Sequence, residues 1–332
     1  MRVALIGAGR IGALHARLLA ATPSVDDLVI ADAMPDRATT VARDVGARAA
    51  ASIEAALDGA EAVVIAAATD AHPELVRASI GRGLPTFCEK PLALDLGESI
   101  ALCGEIERTG VPFQLGFQRR FDAAYREARH LVDTGALGTL YVVRMAGHDP
   151  APPHESYIPV SGGLFRDFSI HDFDVLRWLT GSEVDEVYAD GGVRGFEVFA
   201  KYGDIDTAVA TFRLTNGAFA VLTVARHDPL GYDIRTELFG SKDSVSVGLG
   251  PRTPIRSVEP GVPGPTGPVC ENFLVRFEDA YRAELGAFLR VARRELASPC
   301  TARDGVEALR LAEAATVAVK EHRIVGLAEI AR

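Results

Sequence analysis

"VALIGAGRIGALHARLLAA", residues 3–21, is the stretch on which the fold turns. Residues 3–6 are an apolar run of strand length, the pattern of a strand buried on both faces. Gly7, Gly9 and Gly12 follow as G-x-G-x-x-G, and Leu14, Leu18 and Leu19 then mark one side of a helix. Each glycine answers a physical need: a tight turn, bare backbone against a pyrophosphate, and close packing of helix on strand. The helix start, with Arg10 and Ile11, offers amide donors and a positive dipole end to a phosphate.

A glycine trio alone is a weak signal. Here a second apolar run, residues 28–31, ends on Asp32. That is where a carboxylate hydrogen-bonds a ribose 2′-hydroxyl. The same charge repels a 2′-phosphate, so NAD is expected over NADP, and Arg37 nearby softens the preference. Further out the βα rhythm continues to about residue 119. Strands alternating with helices give a parallel, doubly wound sheet with ligands at the carboxyl ends of its strands. Ala68, Thr69, His72, Glu89, Lys90 and Gln118 fall at such ends and are expected at the cofactor cleft. His15 is expected to pack behind the glycine turn.

From about residue 120 the pattern changes to β-like runs joined by tight turns. Asn216–Gly217 between two apolar runs is a strong hairpin signal. The expected architecture is α/β: an N-terminal Rossmann domain, residues 1–119, then a C-terminal α+β domain, residues 120–332, with a mostly antiparallel sheet.

Composition narrows the function. Length suggests about two domains. Charged residues make up 24% of the chain and the net charge is -10, with no basic cluster, which excludes a nucleic-acid partner. Cys88, Cys103, Cys270 and Cys300 form no C-x-x-C pair, so neither a zinc site nor a redox motif is expected and a reducing cytoplasm is. The longest apolar run, residues 62–68, is too short for a bilayer. His148, Asp149, His154 and Glu155 lack ligand spacing, so no metal is expected.

The chemistry lies in "RDFSIHDFDVLRW", residues 166–178. A continuous helix over residues 164–180 puts Asp167 and His171 on one face, four apart. Asp172 and Asp174 are expected to cap or solvate that helix. Oxidising an alcohol with a nicotinamide needs a base for the hydroxyl proton, and histidine is the commonest. A carboxylate orients it, and a lysine such as Lys90 stabilises negative charge developing on the same oxygen. Of Arg119 and Arg120, one is expected in a structural ion pair and the other near the cleft.

These pieces resemble the Gfo/Idh/MocA oxidoreductases, and among them the members acting on inositol. "ALIGAGRIGALHA" (4–16), "CEKPLA" (88–93), "GFQRRFD" (116–122) and "GGLFRDFSIHDFDVLRWL" (162–179) carry the resemblance. "GYDIRTELFG" (231–240) and "FLVRFEDAYRAELGAFL" (273–289) match more faintly. The resemblance implies a large open sheet in the second domain whose exposed face forms homodimers or homotetramers. It also implies catalysis by Lys90, Asp167 and His171, with a cis Lys90–Pro91 bond. Asp149 and Tyr232, with Gln118 and Arg119, are implied as substrate contacts. Two stretches, residues 149–160 and 225–233, depart from the inositol pattern. They leave open an inositol or related cyclic polyol, or an aldose or keto-sugar. A cofactor-binding regulator is the reading from another class, and it has no need of the lysine, aspartate and histidine together.

Overall fold

The computed structural model describes residues 1–331, which form two compact units. The first holds residues 1–121 and 279–307, and the second the remainder. In the first unit, β1 (Arg2–Ile6), β2 (Asp27–Ala31), β3 (Arg48–Ala49), β4 (Ala62–Ile65), β5 (Thr86–Glu89) and β6 (Phe113–Gly116) are all parallel. Their order is β3-β2-β1-β4-β5-β6. The chain direction across the sheet reverses between β1 and β4, the point where such sheets bind ligands. Helices α1 (Arg10–Ala20), α2 (Pro35–Val45), α3 (Ile53–Leu57), α4 (His72–Ile80) and α5 (Leu96–Thr109) are interleaved with the strands. Every residue of β4, β5 and β6 is buried, and β4 accordingly reads as an unbroken apolar run rather than an alternating one, while β5 and β6 bury Thr86, Glu89 and Gln114 as well.

The second unit contains α6 (Ala123–Asp133), β7 (Leu140–His148), α7 (Ile170–Thr180), β8 (Val184–Gly192), α8 (Val198–Lys201), β9 (Thr207–Leu214), β10 (Phe219–Ala225), β11 (Asp233–Gly240), β12 (Ser244–Val247), α9 (Phe273–Arg276) and β13 (Val325–Gly326). Its seven strands lie in the order β12-β11-β7-β10-β9-β8-β13. All neighbours are antiparallel except β7 and β10. The Asn216–Gly217 hairpin joins β9 to β10: Gly217 takes φ +88°, and Asn216 Oδ1 accepts from the Ala218 amide at 3.0 Å. Strand β9 alternates, with Ala208, Ala210 and Phe212 inward and Val209, Thr211 and Arg213 outward. On the inner face Gly147 lies against the helical segment: a Cβ there would stand 2.8 Å from the Phe168 ring. The outer face leaves Tyr188, Val209 and Phe219 exposed.

Two expectations change. The helix over residues 164–180 is not uniform: residues 165–169 form a π turn and α7 begins only at Ile170. The boundary at residue 119 is not a single cut. Helix α10 (Glu278–Ala292) and the start of α11 (Ala302–Glu321) return to the first unit. Phe288 of α10 packs on Phe87 at 5.7 Å, Gln114 donates to the Glu284 carbonyl, and the Leu115 amide donates to the Cys300 carbonyl. Apolar surface on this sheet thus draws back chain assigned from sequence to the second domain. Among the described residues no helix is long and apolar enough to cross a membrane.

Candidate active site

The three glycines divide their work. Gly7 takes φ +104°, and a Cβ on it would fall 2.4 Å from the Ala66 carbonyl oxygen. A Cβ on Gly12 would fall 2.0 Å from the Gly7 carbonyl oxygen. Around Gly9 nothing lies within 4 Å of that position. Two glycines therefore permit close packing, and the middle one keeps space clear above bare backbone. Gly9 also begins α1 with no side-chain cap, which suits first-turn amides to an anion. Asp32 closes the cradle: its Oδ2 accepts the Ala8 amide at 2.6 Å and its Oδ1 the Met34 amide at 2.7 Å. The carboxylate is thus fixed at the end of β2 beside the glycine loop, with Arg37 exposed on α2. This arrangement fits a dinucleotide. Gly9, Arg10 and Ile11 would hold its phosphates and Asp32 its ribose, while Gly7, whose amide bonds the Ala31 carbonyl, and Gly12 pack beneath them. Ala68 is exposed and Thr69 half-buried in the turn after β4.

Lys90 is half-buried just past the end of β5, and its bond to Pro91 is cis. The residues around it are anchored inward. Glu89 Oε1 meets His15 Nε2 at 2.7 Å, and the His15 ring lies edge-on to Phe87 and Tyr281. His72, expected at the cofactor, is 1% exposed; its ring nitrogens meet the Pro91 carbonyl at 2.8 Å and the Ala67 carbonyl at 3.2 Å. Burial lowers its pKa, outweighing the two carbonyls that raise it. Gln118 and Arg119 are buried in the short turn after β6. Arg120 takes the structural role, bound to Asp304 at 3.0 Å and the Pro299 carbonyl at 2.9 Å.

In the second unit, Asp167 lies in the π turn and His171 in the first turn of α7. Such turns widen a helix by one residue and recur at functional sites. Asp167 Oδ2 accepts from Arg226 at 2.7 Å and Oδ1 from the Tyr157 hydroxyl at 3.0 Å. Arg226 also donates to Asp149 at 3.3 Å. Its residue is 3% exposed. Burial alone would lower the guanidinium's pKa; the charges of Asp167 and Asp149 outweigh it and raise it.

Asp172 and Asp174 are buried, not solvated, because α7 is buried on most of its sides; Asp172 faces the sheet, its Oδ2 3.2 Å from where a Gly147 Cβ would stand. Tyr232 is buried too, its ring edge-on to Phe277. Among the described residues one group has metal-ligand spacing: His148 Nδ1 stands 3.7 Å from both Asp228 and Asp233. Arg235 already binds both Asp233 oxygens, at 2.8 and 3.0 Å, so one carboxylate of the group is taken up in an ion pair. His154 is exposed and bonds Ser156.

Sequence reasoning missed Arg226 and Tyr157. Arg226 did leave a trace. Ala220, Leu222 and Val224 fill the inward phase of β10, and Arg226 stands next in that phase. A charge on the buried phase of a strand signals a buried partner. Tyr157 left none: it is an exposed aromatic in a proline-rich loop.

Similarity to known proteins agrees with this geometry. Residues 1–117 match the oxidoreductase family with an NAD-binding Rossmann fold, and residues 125–246 match the GFO/IDH/MocA C-terminal domain. The chain is 42% identical to a myo-inositol dehydrogenase of Streptomyces leeuwenhoekii over 95% of this chain and 96% of that one. It superposes on a myo-inositol dehydrogenase from Corynebacterium glutamicum with a TM-score of 0.90, at 34% identity and covering 98% of each chain. A scyllo-inositol dehydrogenase from Lactobacillus casei, solved with bound NAD(H) and scyllo-inositol, gives a TM-score of 0.89 at 29% identity, covering 99% of this chain and 99% of that one. The chain belongs to the GFO/IDH/MocA oxidoreductase family and is an NAD(P)-dependent dehydrogenase acting on CH–OH donors.

Proposed function

We propose that the protein oxidises a secondary hydroxyl of an inositol, or of a closely related cyclic polyol, to the ketone, with NAD as cofactor. The observation that carries the hydride-transfer half is the glycine cradle: open at Gly9, closed at Gly7 and Gly12, and bounded by the Asp32 carboxylate. The fixed negative charge of Asp32 disfavours a 2′-phosphate and supports NAD over NADP. The polyol rests on the relatives, which are named for inositols and align over almost the whole chain. When bound, the nicotinamide supplies a hydride acceptor at C4.

The protein's own groups then manage the proton and the charge. His171 takes the hydroxyl proton. Asp167, fixed by Arg226 and Tyr157, orients the imidazole and stabilises its charged form. Lys90 donates to the substrate oxygen and stabilises the negative charge that develops there. Asp149, held by Arg226, is the second carboxylate offered to polyol hydroxyls.

The test follows NADH or NADPH absorbance with myo-, scyllo- and chiro-inositol, glucose, galactose and xylose, with Lys90→Ala alongside. Turnover of an inositol with NAD is expected, reduced about 10²- to 10³-fold in the variant, as for loss of one group that stabilises developing charge. Turnover of aldoses only would overturn the substrate. Full activity in Lys90→Ala would overturn the role of the lysine.

A further inference from the structure

We infer that His72 is a positioning residue for Lys90, bracing the Lys90–Pro91 segment by tying the Pro91 carbonyl to the start of α4. The inference rests on the catalytic role proposed for Lys90. A lysine carries its charge on a flexible four-carbon stem, so its reach depends on how firmly its backbone is held. On the amino side of Lys90 that hold is plain. Glu89 ends β5, pairs with Gly116 of β6, and bonds the buried His15 through its side chain. On the carboxyl side the strand has stopped. Pro91 brings no N–H, and its buried carbonyl meets the imidazole of His72 at 2.8 Å.

The same ring reaches the Ala67 carbonyl at 3.2 Å. Ala66 and Ala67 are the residues against which Gly7 packs, with Ala67 N 2.6 Å from where a Cβ on Gly7 would stand. The imidazole therefore lies between the cradle and the lysine, and its one hydrogen bond goes to the lysine side. A neutral imidazole has a single N–H to give. The shorter contact assigns it to Nδ1, donating to Pro91, and burial favours the neutral ring. The charged neighbours acting on the ring are Glu89 and Lys90 themselves. His72 opens α4 with Pro73 behind it, so the brace sits on a helix start rather than on a mobile loop.

The experiment compares the full-length enzyme with His72→Leu, His72→Asn and Lys90→Ala, measuring kcat and KM for polyol and the Kd for NAD by calorimetry. His72→Leu is expected to lower kcat about 10- to 100-fold, the scale of a misplaced catalytic group, with NAD affinity held within about threefold. The asparagine amide nitrogen stands near the place of Nδ1, so His72→Asn should recover about tenfold of that loss. Unchanged kcat in His72→Leu, an asparagine no better than leucine, or a loss carried wholly by NAD affinity would overturn the inference. Should the leucine variant not fold, the tautomer of His72 in the unaltered protein decides by nitrogen NMR. A proton on Nδ1 upholds the brace; a neutral ring with its proton on Nε2, donating to Ala67 instead, overturns it. Turnover that survives Lys90→Ala would instead sink the parent reading, so the two failures are distinguishable.

Discussion

The glycine loop of the first unit and the arginine-centred cluster of the second prepare for charge by different means. Around Gly9 the chain offers main-chain dipoles and empty space, with one carboxylate fixed by two amides. Around Arg226 it offers a full positive charge, buried between Asp149 and Asp167. Dipoles cost little to leave facing water, so the loop can stand open and await an anion. A buried ion is stable only as part of its set, because each partner has already lost its hydration. The open position at Gly9 should thus lose binding when altered, and the buried arginine set should lose stability.

The largest effect is expected at Arg226. Arg226→Leu takes the buried guanidinium away from two carboxylates, and breaking a buried pair in this way costs about 3–5 kcal/mol. Chemical denaturation near neutral pH would show it. Acidification works the other way: protonating the two carboxylates removes their mutual repulsion, so the deficit should shrink as the pH falls. Arg226→Lys keeps the charge but not the two-pronged reach, and should fall between. A deficit below about 1 kcal/mol in Arg226→Leu, the range of exposed pairs, would erase the contrast between the regions.

Gly12 and Gly9 sharpen it from the other side. Gly12→Ala sets a methyl 2.0 Å from a main-chain oxygen, which cannot move aside cheaply. A loss of at least about 1–3 kcal/mol follows from overpacking, together with NAD affinity. Gly9→Ala meets nothing within 4 Å. Its stability should stay within about 0.5 kcal/mol, as for a surface change. NAD binding should still weaken, because the methyl occupies the room meant for phosphate. Denaturation and NAD titration on the same two variants separate the effects; equal behaviour of the pair would count against the division of labour.

The same difference explains what the sequence made legible. Gly7, Gly9, Gly12 and Asp32 lie within one βαβ unit, and a glycine's role is set by its own backbone. Arg226 is 59 residues from Asp167 and 77 from Asp149, and only the fold brings them together. Its place on the inward phase of β10 was readable; its partners were not. The π turn was hidden for another reason. Asp167 and His171 keep the spacing of an ordinary helix, and the difference is a shift of hydrogen-bond register that residue types do not record. The return of α10 to the first sheet was hidden because an amphipathic pattern states that a face is buried, not against what.

Tyr157 should give the smallest effect, and it probes the rim of the cluster. Its hydroxyl donates to Asp167 at 3.0 Å, but the residue is 43% exposed. Water can replace that bond, so its net worth lies near the lower end of the usual 0.5–1.5 kcal/mol. Tyr157→Phe should therefore leave denaturation almost unchanged. If Asp167 orients the base, the same change should lower kcat about two- to fivefold, since each 1.36 kcal/mol is tenfold in rate. It should leave the KM for NAD alone, because Tyr157 belongs to the unit without the cradle. A fall beyond about a hundredfold would mean that this loop residue, rather than the buried arginine, does most of the holding of Asp167.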